Sequence, residues 1–89
     1  MNKVTAQEIA DMIDVSLLNP TFTLDMITKG CETAMTYRCI SVCLRPADVK
    51  LAANILKGSD VKVTTVVGFP HGSNETETKV FETLKAVEE

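Results

Sequence analysis

Residues 61–72 read VKVTTVVGFPHG, and the way this stretch ends decides the fold. From 61 to 67, aliphatic positions alternate with Lys and Thr, the period-two pattern of a strand with two different faces. Gly68 and Pro70 then stop the strand and open a loop. Such a strand delivers its loop to one rim of a sheet, where working residues collect.

The pattern recurs upstream. DVSLL (14–18) is too short for a helix and is closed by Asn19 and Pro20, while CISVCL (39–44) is closed by Arg45 and Pro46. Both read as strands. Between them, Leu24, Ile27, Cys31, Ala34 and Met35 recur at helical spacing, with Gly30 inside the run costing about 1 kcal/mol relative to Ala. Pro46 suits a first helical turn, and Val49, Ala52, Ala53 and Leu56 predict a helix over 46–57 that Gly58 ends. A last helix is predicted over about 75–88, with Ser73 or Asn74 as N-cap and Val80, Leu84 and Val87 along one side. A short helix over 6–12 opens the chain, with Thr5 and Glu8 spaced as a capping box.

The order is one helix, then βα units over 14–37, 39–57 and 61–88. Strands alternating with helices imply a parallel sheet built by right-handed crossovers, so with the strands side by side in chain order all three helices of the βα units are expected on one face. Alternation puts Val15 and Leu17, Ile40, Val42 and Leu44, and Val61, Val63, Thr65 and Val67 under those helices. It leaves Asp14, Ser16 and Leu18, Cys39, Ser41 and Cys43, and Lys62, Thr64 and Val66 on the other face. A small, polar face shared by successive parallel strands is what a closed βα-barrel turns toward its substrate, with the chemistry at the C-terminal strand ends. Closing that barrel takes eight units and about 250 residues, and these 89 residues supply three units. The expected fold is α/β: a partial (β/α)8 TIM barrel, with an N-terminal helix and the first three βα units forming one incomplete segment over 1–89.

Composition narrows the function classes. With 45% hydrophobic and 24% charged residues the chain reads as folded rather than disordered. A net charge of −3, with Lys and Arg scattered, supplies no basic stripe for a nucleic acid. No apolar run approaches the roughly 18 residues of a membrane span, and the first residues are polar where a signal peptide needs its apolar core. Cys31, Cys39 and Cys43 are an odd set without paired spacing, which fits reduced thiols and a cytoplasmic setting. Cys39, Cys43 and His71 lack the spacing of metal ligands, so no metal is expected. His71 reads as a surface loop residue, Lys62 lies at the start of its strand away from the catalytic rim, and the glutamates of the last helix read as helix-start and solvated charges.

The segments MIDVSLLNP (12–20), ISVCLRPADVKLAANILKGSDVKVTTVVGFPHG (40–72) and ETKVFETLKAVEE (77–89) resemble, in order, the N-terminal third of deoxyribose-phosphate aldolase, a class I aldolase family of the βα-barrel fold. The resemblance implies reversible cleavage of 2-deoxyribose 5-phosphate to acetaldehyde and glyceraldehyde 3-phosphate through a lysine Schiff base, with no cofactor and no metal. It implies that Asp14 and Ser16 belong to the polar network around the reacting carbon, Ser16 standing where the family has Thr. Leu18, Cys43, Val66 and Phe69 fall at positions lining the pocket for the small aldehyde end. The Schiff-base lysine, a second proton-relay lysine, the catalytic aspartate and the phosphate loops are implied on later strands. The 89 residues alone are therefore expected to be inactive, with a sugar phosphate as partner only in the complete enzyme.

Four positions depart from the family pattern: Val15 within the usual DHT, Gly30 at a packing position, Arg38 where a small residue or Gly follows the helix, and Arg45 where Asn is often found. Arg38 held in a left-handed conformation would cost about 1 kcal/mol. The competing reading is a non-catalytic remnant, or a binding or assembly module derived from the barrel. Under both readings, self-association or pairing with the missing barrel half is expected, because the outer strands would be unpaired edges.

Overall fold

The structure is a computed structural model that describes residues 3–89. Helix α1 spans Ala6–Ala10, strand β1 Asp14–Leu17, helix α2 Leu24–Tyr37, strand β2 Ser41–Leu44, helix α3 Val49–Leu56, strand β3 Lys62–Thr65 and helix α4 Thr76–Glu88. All three strands are parallel and lie in chain order, β1-β2-β3, with Asp14 level with Ser41 and Ser41 level with Lys62. This is a partial βα-barrel: three adjacent staves and their helices.

Local chemistry explains most of the boundaries. The Thr5 hydroxyl accepts the Glu8 N–H and the Glu8 carboxylate accepts the Thr5 N–H, so α1 starts on a complete capping box. It is shorter than 6–12, since the chain already turns at 11–12. Thr23 caps α2 through the Met26 N–H. Pro46 begins a 3₁₀ turn, Pro46–Asp48, rather than α-helix, and α3 proper follows it. Neither Ser73 nor Asn74 caps α4. Glu75 occupies the N-cap, without a side-chain hydrogen bond to the helix.

Helices α2 and α3 pack against each other and over one face of the sheet. Leu17, Val42 and Leu44 from that face meet Ile27, Cys31 and Ala34 of α2 and Val49, Ala52 and Leu56 of α3. Burying aliphatic side chains of this size is worth roughly 1.5–3 kcal/mol each, the main term holding so small a sheet together. By contrast, α4 buries no residue. Helix α4 runs beside α3 but adds no fully buried residue to this core.

The alternation fails at the start of the second strand. Cys39 is buried in the core, whereas Ile40, expected under the helices, is 47% exposed. The cause is the way α2 ends. Arg38 sits in the left-handed region (φ 54, ψ 47), its N–H donates to the Met35 carbonyl, and the Cys39 N–H reaches back to the Ala34 carbonyl. That pair of bonds is a Schellman motif, which folds the residue after the left-handed one against the last turn of its helix. Cys39 is thus a helix-end residue packed beside Ala34, and pleating begins only at Ser41. Among the described residues, no helix is long and apolar enough to cross a membrane.

Candidate functional site

The face of the sheet not covered by helices carries the polar side chains in rows. In the lowest row, the Ser41 hydroxyl donates to Asp14 Oδ1 at 2.7 Å. Thr64 Oγ1 lies 3.0 Å from the Val42 carbonyl and 3.4 Å from Asp14 Oδ1. A hydroxyl has one proton, so Thr64 serves the nearer carbonyl first and the carboxylate as an alternative. Asp14 is thereby connected across all three strands, anchored by Ser41 from its neighbour. The middle row is Ser16, Cys43 and Thr64, adjacent by register. Ser16 is exposed and Cys43 half-buried.

Above these rows, at the C-terminal strand ends, lies a cleft of about 390 Å³. Leu18, Val66 and Phe69 form its apolar wall, with Pro20, Pro46 and Pro70 around them, and Arg45, Asn74, Thr78, Lys79 and Glu82 at its polar side. The structure therefore brings together three of the residues singled out from the sequence, Leu18, Val66 and Phe69. Cys43, Asp14 and Ser16 do not line the cleft. Asp14 lies four residues below Leu18 on β1, roughly 13 Å down the strand.

Several contacts of the site carried no signal in sequence. The set made by Arg45 is one. Its Nε pairs with the Asp48 carboxylate, and its Nη1 donates to the carbonyls of Asn19 and Pro20 at 3.2 Å each. Asp48 is only 4% exposed, so the guanidinium both neutralises a buried carboxylate and ties the loop after β1 to the turn after β2. Glu82 is another: its carboxylate accepts the Gly68 N–H at 2.7 Å. Lys79 donates from Nζ to the Gly72 carbonyl at 2.9 Å. Glu82 reads from the sequence as a solvated helix charge and Lys79 carries no reading at all, because their partners lie across a loop and no sequence spacing links them.

Burial, and after it the neighbouring Glu32 carboxylate, push the Cys31 thiol above its usual range. That makes Cys31 a packing residue rather than a nucleophile. His71 is exposed in the loop after β3, and Lys62 is exposed at the base of the open face. Among the described residues, no three His, Cys, Asp or Glu side chains are grouped as metal ligands.

Comparison with known proteins sets this geometry in a lineage. No family model matches the chain. It is 49% identical over 81 residues to a deoxyribose-phosphate aldolase of Clostridium perfringens, covering 91% of this chain and 36% of that protein. To the deoxyribose-phosphate aldolase of a Geobacillus species it is 54% identical over 80 residues, 90% of this chain and 36% of the relative. In three dimensions it superposes on the tetrameric deoxyribose phosphate aldolase of Aeropyrum pernix with a TM-score of 0.89 and 26% identity, over 94% of this chain and 36% of that one. The chain thus spans about a third of the length of the relatives it matches.

Proposed function

The chain is kin to the N-terminal third of the deoxyribose-phosphate aldolases, and from that premise we propose that it carries part of an aldolase site and works only as part of a whole barrel. The reaction is the reversible cleavage of 2-deoxyribose 5-phosphate to acetaldehyde and glyceraldehyde 3-phosphate, with a lysine amine from a later strand forming the Schiff base. The contribution of this segment is the floor and one wall. Asp14, held by Ser41, and Ser16 supply fixed polar groups on the open face, where proton movement at the reacting carbon needs acceptors that do not reorganise. Leu18, Val66 and Phe69 supply an apolar wall suited to a two-carbon aldehyde. Cys43, half-buried between Ser16 and Thr64, fills the middle row as a thiol without acid-base work.

The observation that carries this reading is the convergence of Leu18, Val66 and Phe69, from two different βα units, on one cleft at the C-terminal strand ends. In βα-barrels that rim is where substrates bind. Three reduced cysteines, two of them buried, fit a cytoplasmic enzyme.

The test uses the 89-residue chain alone and then mixed with a fragment carrying the later strands of the Geobacillus relative. Alone, given 2-deoxyribose 5-phosphate, it should release no acetaldehyde and yield no adduct on borohydride treatment. With the complementary fragment, turnover should appear and should fall at least tenfold in Asp14→Asn. A borohydride-trapped adduct on one of this chain's own lysines would overturn the assignment, and so would restored turnover indifferent to Asp14.

A further inference from the structure

The cleft wall is built by a loop that the sheet does not hold. The β3 ladder ends at Thr65, three residues before Gly68, and Phe69 is 57% exposed. What grips the loop is α4. The Gly68 N–H donates to Glu82 Oε1, Lys79 Nζ donates to the Gly72 carbonyl, and the Gly72 N–H closes the loop onto the Gly68 carbonyl. Residues 79 and 82 lie three apart on the helix and so share a face. The two ends of the loop are therefore clasped by one turn of α4, a donor at one end and an acceptor at the other.

Gly68 is what allows the clasp. Its φ of 63 lies in the left-handed region, and a Cβ there would come within 3.1 Å of Lys79 Cδ. With no side chain at 68, the stem of Lys79 lies against the backbone and the Glu82 carboxylate reaches the N–H behind it. Resting on the reading of the cleft given above, we propose that Glu82 is a positioning residue: by holding the Gly68 N–H it fixes the wall that Phe69 presents to the bound aldehyde. It acts through the backbone and need not touch substrate. A carboxylate bound to a single N–H, partly buried and 14 residues from its partner in sequence, is otherwise an odd use of a helix glutamate, which is ordinarily left in solvent.

Nuclear magnetic resonance on the 89-residue chain tests this without substrate. In the unsubstituted chain the Gly68 amide should exchange slowly and show a through-hydrogen-bond coupling to the Glu82 carboxylate carbon, and the Phe69 ring should show cross-relaxation to Leu18 and Val66 methyl groups. Glu82→Gln keeps an oxygen acceptor and should retain slow Gly68 exchange and the Phe69 contacts. Glu82→Ala should speed Gly68 exchange at least tenfold and lose the Phe69 contacts, while the core signals of Ile27, Val42 and Leu44 stay in place. Should Glu82→Ala fail to fold, the coupling in the unsubstituted chain and the behaviour of Glu82→Gln decide alone. Absence of the coupling together with fast Gly68 exchange in the unsubstituted chain overturns the proposal. So does loss of the Phe69 contacts in Glu82→Gln with an intact core, or their persistence in Glu82→Ala. A loop ordered by Glu82 in a chain whose reassembled barrel turns over no substrate would sink the aldolase reading, and with it the aldehyde as the ligand of this wall, and would leave only the ordering of the wall by Glu82.

Discussion

A Cβ built on Gly30 would lie 2.5 Å from Leu17 Cδ2 and 2.8 Å from its Cδ1, so α2 reaches the first strand only because position 30 has no side chain. In isolation a helix glycine is a defect worth about 1 kcal/mol, and the sequence reading treats it as one. Here it is the contact that lets Leu17 pack into the core.

It follows that Gly30→Ala should not give the usual helix-propensity gain. The added methyl pushes on a buried leucine whose neighbours leave it little room, and overpacking of this kind costs about 1–3 kcal/mol. Chemical denaturation should show Gly30→Ala to be destabilised by roughly 1 kcal/mol net. Leu17→Val in the same chain should recover part of that loss, and an Ala variant more stable than the parent would contradict the contact.

Arg38 offers the opposite case. It holds the left-handed position at the end of α2, where its side chain gains an exposed hydrogen bond from Nη2 to Gln7 Oε1 at 3.0 Å. Arg38→Gly removes the conformational strain at the expense of a more flexible unfolded chain. A net gain of about 0.5–1 kcal/mol is expected. An unchanged or lower melting midpoint would mean that the Gln7 contact outweighs the strain.

These two residues also show why some of the fold could be read in advance and some could not. Parallel pairing follows from the alternation of strands with helices, and the burial of Leu17, Val42 and Leu44 from the period-two pattern along 14–18, 39–44 and 61–67. The left-handed end of α2 at Arg38 was marked in the sequence, but the exchange of Cys39 and Ile40 was not, because alternation was counted from Cys39 although the Cys39 N–H still belongs to the helix end. The cleft residues Leu18 and Val66 were legible as members of one strand face. Glu82, Lys79 and Arg45 were not, because each binds backbone groups remote in sequence, which leave no spacing to detect. Ser41 was placed on the open face, but its bond to Asp14 depends on register, which alternation within a single strand does not specify.

The Arg45–Asp48 pair invites a double-mutant cycle. An exposed ion pair is worth about 0–1 kcal/mol, whereas breaking a buried one costs about 3–5. With Asp48 buried and Arg45 partly so, Arg45→Ala should fall between these, near 2–3 kcal/mol. Most of that is the carboxylate left behind, so Arg45→Ala with Asp48→Ala should cost clearly less than the sum of the two single changes. Strict additivity would show that the pair is incidental.

Stability should also fall on the alkaline side in a way traceable to Cys31. Its thiol is fully buried and raised above the usual 9.0, first by burial and then by Glu32. A raised group binds its proton more tightly folded than unfolded, so its contribution is whole below pH 9.0 and is lost as pH climbs from there through the folded value. Unfolding free energies measured from pH 7 to pH 10.5 should therefore decline more steeply for the parent than for Cys31→Ala. Parallel curves would remove Cys31 from the account.

The last expectation concerns what the segment does with its open sides. Among the described residues, each outer strand, β1 and β3, is paired along one edge only, and an unpaired edge is a template for another chain. Helix α4, which follows β3 in the chain, presents Val80, Leu84 and Val87, the last 80% exposed, with no described element covering them. A free edge and an uncovered helix stripe in one segment suit the arrival of a further strand and helix. In the chain by itself the available source is a second copy. Sedimentation velocity over a range of concentrations should show mass rising with concentration, and Leu84→Lys with Val87→Lys should shift the rise to higher concentration while leaving the core intact, since neither side chain is buried. A concentration-independent monomer with a sharp cooperative melt would show instead that edge and stripe are adequately served within one chain.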